Sequence, residues 1–317
     1  MTSLPLFLRT LQEAPLILGE GAVVERLRRH PDGMLDPHVV NAALLYSPRG
    51  REALAGIYRD YLGIGRRHGL PTVLLTPTWR ATRERIERAG LADRDVLGDA
   101  VELLASLRRE GEAGAPPLFI GGLIGCRGDA YRPEEALSRE EAADFHRWHV
   151  EGLAAAGVDF LVAQTLPALS EAEGVALAMA RTGVPYLLSF VIRPEGTLLD
   201  GTPIGEAVER IDALAEPRPA AFMANCVHPS IFREAFSRQV EAWPDLRRRL
   251  VGLQANASRL SPEELDERAE LDSGDPATFG RELAALHREQ GVRLLGGCCG
   301  TDERHIAALV AALRGPG

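Results

Sequence analysis

The 317 residues carry a formal net charge of −9 and an apolar fraction of 45%. The negative balance argues against nucleic acid or an anionic membrane as the main partner. No apolar run approaches the ~18 residues needed to span a bilayer, and the start "MTSLPLFLRTLQEAP" lacks the basic and long apolar regions of a signal peptide, so a cytoplasmic globular protein is expected.

In chain order, "PLILGEG" (15–21) reads as a first strand. Its Gly19-Glu20-Gly21 lacks the third glycine of a dinucleotide fingerprint. A helix is predicted over 47–69, ending at Gly69, before a second strand at 72–78 and a third at 117–125. Ser138 and Glu141 have capping-box spacing and open a helix predicted to close at Gly157. His146 and His149 on it are expected to face solvent. Strands at 158–165 and 185–192 flank a helix at 170–183. Strands at 220–226, 250–257 and 292–299 follow, and a helix over 302–315 closes the chain. The polar stretches 193–203 and 261–280 read as long connections, and the acidic run from Glu263 to Asp275 as a solvated segment.

Eight continuously apolar strands alternating with amphipathic stretches predict parallel strands buried on both faces. In a chain of this length the expected fold is an α/β (β/α)8 TIM barrel, one domain over 1–317. A doubly wound open sheet is the alternative.

Two of the four cysteines are adjacent, in "LLGGCCGTDERHI" (294–306). A reducing compartment disfavours structural disulfides. The plain alternative is that these thiols are small buried apolar groups. In a barrel, however, Cys226 ends strand six and Cys298 and Cys299 end strand eight, all on the face where barrel active sites form. Three thiolates suit Zn2+ and leave its fourth position open. Such a centre carries net charge −1, is weak at activating water, and suits a fourth thiol. The expected chemistry is attack of a substrate sulfur on an activated methyl group, with no catalytic side chain beyond that thiol.

These motifs resemble the homocysteine S-methyltransferase family. "GGCCGT" (296–301) with "HI" (305–306), "ANCVHP" (224–229), and the segments 137–161, 165–190 and 196–208 carry the resemblance over nearly the whole chain. It implies zinc held by Cys226, Cys298 and Cys299, homocysteine as acceptor and methionine as product. Glu20 stands where the family has Asp-Gly, and Gln164, before Thr165, stands where it has a Glu that meets the substrate ammonium. Together with Asn225, these residues are the expected substrate contacts. The chain shows no cobalamin or folate module and no extension of the betaine-dependent kind, which favours a sulfonium donor, S-methylmethionine or S-adenosylmethionine. A different thiol acceptor and a non-catalytic zinc- or thiol-binding barrel are the rival readings. Arg80 is a candidate carboxylate contact or a surface residue, Cys126 a candidate pocket residue, and His228 a supporting or surface residue rather than a ligand.

Overall fold

Eight parallel strands close a barrel in sequence order. They are β1 Ile17–Gly19, β2 Thr72–Leu75, β3 Leu118–Gly125, β4 Phe160–Leu166, β5 Tyr186–Phe190, β6 Ala221–Asn225, β7 Leu250–Ala255 and β8 Leu294–Gly297. The last strand pairs with the first through Ile17–Leu294 and Leu18–Leu295. The structure is a computed structural model describing residues 4–31, 35–260 and 272–315. All eight predicted strands are present, each inside its expected range or displaced by a residue, and the open-sheet alternative is excluded by the closure.

The strands form because both of their faces find apolar partners. One set of side chains, including Val73, Phe119, Phe160, Val162, Leu187 and Met223, fills the barrel interior. The other set, including Leu18, Leu74, Leu161 and Leu188, packs outward under the helices. The helix Leu6–Glu13 covers the end of the barrel where the strands begin. Its Phe7 stacks on Phe160 at 4.1 Å and meets Phe119 edge-on at 5.4 Å. Aromatic contacts of this kind add to the area they bury.

Period-2 alternation then determines what lines the other end of the barrel. Phe160 and Val162 point inward, so Gln164 does too; Leu187 leads to Ser189, and Ala221 and Met223 lead to Asn225. The interior thus changes from apolar to polar near the strand C-termini.

The helix over Arg139–Ala155 carries the predicted capping box, with Ser138 and Glu141 bonded reciprocally. His146 and His149 on this helix are buried, not solvent-facing. The reason is legible in the spacing: 146, 149, 150 and 153 form one helical stripe, and it faces the core. His146 Nε2 lies 2.9 Å from Glu171 Oε1. Burial lowers the His149 pKa to about 3, so its ring is neutral at physiological pH. The connection at 193–203 folds back on itself through the bridges Ile192–Leu198 and Thr197–Pro203. Of the predicted 261–280 connection and its acidic run, residues 261–271 lie outside the described residues. Asp275 accepts the Thr278 N–H at 2.9 Å and so caps a helix over Pro276–Gln290.

Candidate metal and substrate site

The three cysteines at the ends of β6 and β8 converge. Cys226 Sγ lies 2.9 Å from Cys298 Sγ, and Cys298 Sγ lies 4.0 Å from Cys299 Sγ. All three sulfurs fall within 4.8 Å of one another, and no other such group of metal-ligating side chains occurs among the described residues. None is in a disulfide.

The local backbone explains the convergence. Cys226 follows β6 with φ at 56°, a conformation that non-glycine residues avoid. Its N–H donates to Gln254 O at 3.1 Å, which turns the chain across the mouth toward β7. On the other side, Cys298 N–H donates to Ala255 O at 2.7 Å, and Cys299 O accepts the Ala257 N–H at 3.0 Å. The consecutive cysteines are held by glycines that admit no side chain. A Cβ on Gly296 would stand 2.6 Å from Glu20 O, and Gly300 has φ 80° with its N–H on Glu25 Oε2 at 2.5 Å.

One thiol is singled out electrostatically. Hydrogen bonds from Cys298, Cys299, Asn225 and Tyr131 converge on Cys226 and hold its pKa well below the usual thiol value, against its burial. The same contact with Cys226 pushes Cys299 up to about 12 and Cys298 well above its ordinary value. A divalent ion that binds all three as thiolates displaces thiol protons, so its affinity rises with pH.

Asn225 links this cluster to the polar layer of the barrel. Its Nδ2 donates to Cys226 Sγ at 3.1 Å, while its Oδ1 accepts the Thr165 N–H at 3.1 Å and the Ser189 hydroxyl at 2.6 Å. Thr165 is also a strained position, with φ 59°, and its hydroxyl takes the Trp79 indole N–H at 3.0 Å. Gln164 donates an amide hydrogen bond to Gln254. Strain gathered at strand ends of this kind is common at functional sites.

The remaining candidates have other partners. Glu20 is buried, its Oε2 accepts the Leu75 N–H at 2.9 Å, and burial raises its pKa to about 8. Arg80 stacks on Trp79 at 4.3 Å and binds the Cys126 and Gly128 carbonyls at 3.1 and 2.6 Å, so it anchors a loop. Cys126 is buried outside the sulfur cluster, with its thiol 3.6 Å from Gly128 O. His228 caps the helix Pro229–Ala242 through Ser230 and faces Glu282.

Three residues of the site are not among the sequence-based candidates. Tyr131 lies in an irregular loop with no motif, yet its hydroxyl reaches Cys226. Gln254 is hidden because a register shift between β6 and β7 breaks the alternation that would flag it. Ser189 was readable from Leu187 by period two.

The family model for homocysteine S-methyltransferase matches residues 17–313. The chain belongs to the homocysteine S-methyltransferase family. Among relatives, it is 28% identical over 318 residues to a homocysteine S-methyltransferase of Escherichia coli, covering 95% of this chain and 96% of the relative. A Bacillus subtilis homocysteine S-methyltransferase, YbgG, is 25% identical over 329 residues, with 96% of both chains covered. The metallated form of the Escherichia coli homocysteine methyltransferase MmuM superposes with a TM-score of 0.74 at 26% identity, over 96% of this chain and 98% of that one. Members of this family are methyltransferases, and the present chain is one. No helix among the described residues is long and apolar enough to cross a membrane.

Proposed function

We propose that this methyltransferase moves a methyl group from a sulfonium donor, S-methylmethionine or S-adenosylmethionine, to homocysteine, with Zn2+ held by Cys226, Cys298 and Cys299. The observation that carries the reading is the meeting of three free sulfurs, drawn from two distant strand ends, within 4.8 Å at the barrel mouth. The donor set fits the metal: sulfur-rich sites of this size suit zinc, and three protein ligands leave room for one more. When bound, zinc would supply a low thiol pKa and so present the acceptor as a nucleophile at neutral pH.

The chain's own groups do the rest. Asn225 fixes the orientation of Cys226 and is itself braced by Ser189 and Thr165. Such supporting contacts typically matter 10–100-fold, roughly, for metal affinity. Gln164, Thr165 and Asn225 line the acceptor side of the mouth, and Glu20 holds the wall between β1 and β2 through Leu75. Tyr131 closes the site from the loop after β3. The acceptor sulfur forms a bond to the methyl carbon as the donor's carbon–sulfur bond breaks; the donor departs as a neutral thioether and the acceptor's proton goes to solvent. A cationic donor is favoured by the negative charge that three thiolates gather at the mouth. Three reduced thiols suit a reducing compartment such as the cytosol.

The test is a donor-by-acceptor assay on zinc-loaded protein. Methionine formed from homocysteine and either sulfonium is the expected result. Methylation of another thiol instead, or no turnover with any pair at full zinc loading, would reject it.

A further inference from the structure

The polar layer facing the cysteines contains an unusual pair. Gln164 lies near the C-terminal end of β4 and Gln254 near that of β7, three strands apart, so their hydrogen bond must cross the barrel interior. That bond uses one N–H of Gln164 and one carbonyl lone pair of Gln254. The rest of both amides, N–H donors as well as a carbonyl acceptor, remains for a ligand. The pair also lies against the reacting centre. The main-chain carbonyl of Gln254 takes the Cys226 N–H, and Thr165, next to Gln164, is bonded to Asn225.

The charged groups around the mouth are committed elsewhere. Glu20 takes the Leu75 N–H, and burial keeps it largely protonated at neutral pH. Glu25 takes the Gly300 N–H and is flanked by Arg28 and Arg29. Asn225 and Tyr131 are directed at the Cys226 sulfur.

We infer that the acceptor's head group is read by the neutral amides of Gln164 and Gln254, so that the site takes small thiols bearing a carboxylate whether or not they carry an ammonium. This rests on the transferase reading above and deepens it to an acceptor class. An amide N–H serves a carboxylate, and an amide carbonyl serves an ammonium, but neither offers the net charge by which a carboxylate side chain would select the ammonium.

Isothermal titration of the zinc-loaded protein tests this without any methyl donor. The probes are homocysteine and 4-mercaptobutanoate, which is homocysteine without its amine. Their dissociation constants are expected to agree within about tenfold, because an amide contributes no ion pair. Gln164→Glu is expected to widen the preference for homocysteine by a further factor of about ten or more. Gln254→Glu, on the partner amide, gives an independent route to the same shift if the first variant fails to fold. Comparing ratios between variants cancels the difference in thiol acidity of the two probes. A wild-type preference well above tenfold, or a ratio that neither substitution moves, overturns the inference and assigns the ammonium to another group such as Glu25. Binding of neither thiol also overturns it. Near-equal binding of both thiols without methyl transfer to either leaves the inference standing while the proposed reaction fails.

Discussion

The two ends of this barrel are built from the same strands but solve different problems. At the end where the strands begin, Phe7, Phe119 and Phe160 pack as an apolar floor. At the other end, Gln164, Ser189, Asn225 and Gln254 replace apolar side chains, and two backbone positions, Thr165 and Cys226, adopt left-handed conformations. The floor lowers the free energy of the fold. The mouth adds strain and buried polar groups, and it gathers three sulfurs. The contrast separates stability from chemistry by position along each strand, as barrels generally do.

Removing a sulfur should produce the largest effect and confine it to the mouth. Cys298→Ser is expected to lose most of its zinc and to reduce methyl transfer by more than the roughly 10–100-fold that supporting contacts cost. Its circular dichroism and unfolding midpoint in chelator should match those of the metal-free parent. Retained zinc and activity would remove the mouth's assigned role.

The complementary substitution attacks the floor. Phe7→Ala deletes a nearly inaccessible ring and is expected to cost about 3–5 kcal/mol of stability. Zinc bound per folded molecule should not change. If zinc affinity fell along with stability, the two ends would be coupled and the separation would fail.

A smaller effect is expected where the two regions adjoin. The pKa of Glu20 is raised from 4.5 to about 8 by burial, so the folded chain keeps a proton that the unfolded chain releases. Its stabilising contribution is complete below about pH 4.5 and is lost as pH rises through about 8. Glu20→Gln keeps an acceptor for the Leu75 N–H but cannot titrate. The variant should lack the wild type's decline in stability between pH 5 and 8, and at pH 8 it should be the more stable by on the order of 3–5 kcal/mol. Denaturant titrations across that range read the slopes; equal slopes would show that Glu20 is ionised in the folded protein.

The floor and the strands were legible in the sequence because burial on both faces leaves continuous apolar runs, and a strand cannot hide that composition. The cysteines were legible because strand ends can be counted, which brought Cys226 to the same face as Cys298 and Cys299. The amide of Gln164 was visible, but its partner was not: the irregular β6–β7 register shifts Gln254 out of the expected alternation. Tyr131 reaches Cys226 from a loop whose course depends on tertiary anchors, such as Arg127 N–H on Glu171 at 2.7 Å and Arg80 on Gly128 O. No local pattern encodes such contacts. His146 and His149 were misjudged from their polarity, although their helical spacing matched the buried stripe.

The central claim is that Cys226, Cys298 and Cys299 share one metal ion with a position left for the acceptor. X-ray absorption spectroscopy at the zinc edge addresses it directly. The account predicts three sulfur neighbours at about 2.3 Å without acceptor and four when homocysteine is added. Two or fewer sulfurs in the resting protein, or a sulfur count unchanged by homocysteine, would contradict it.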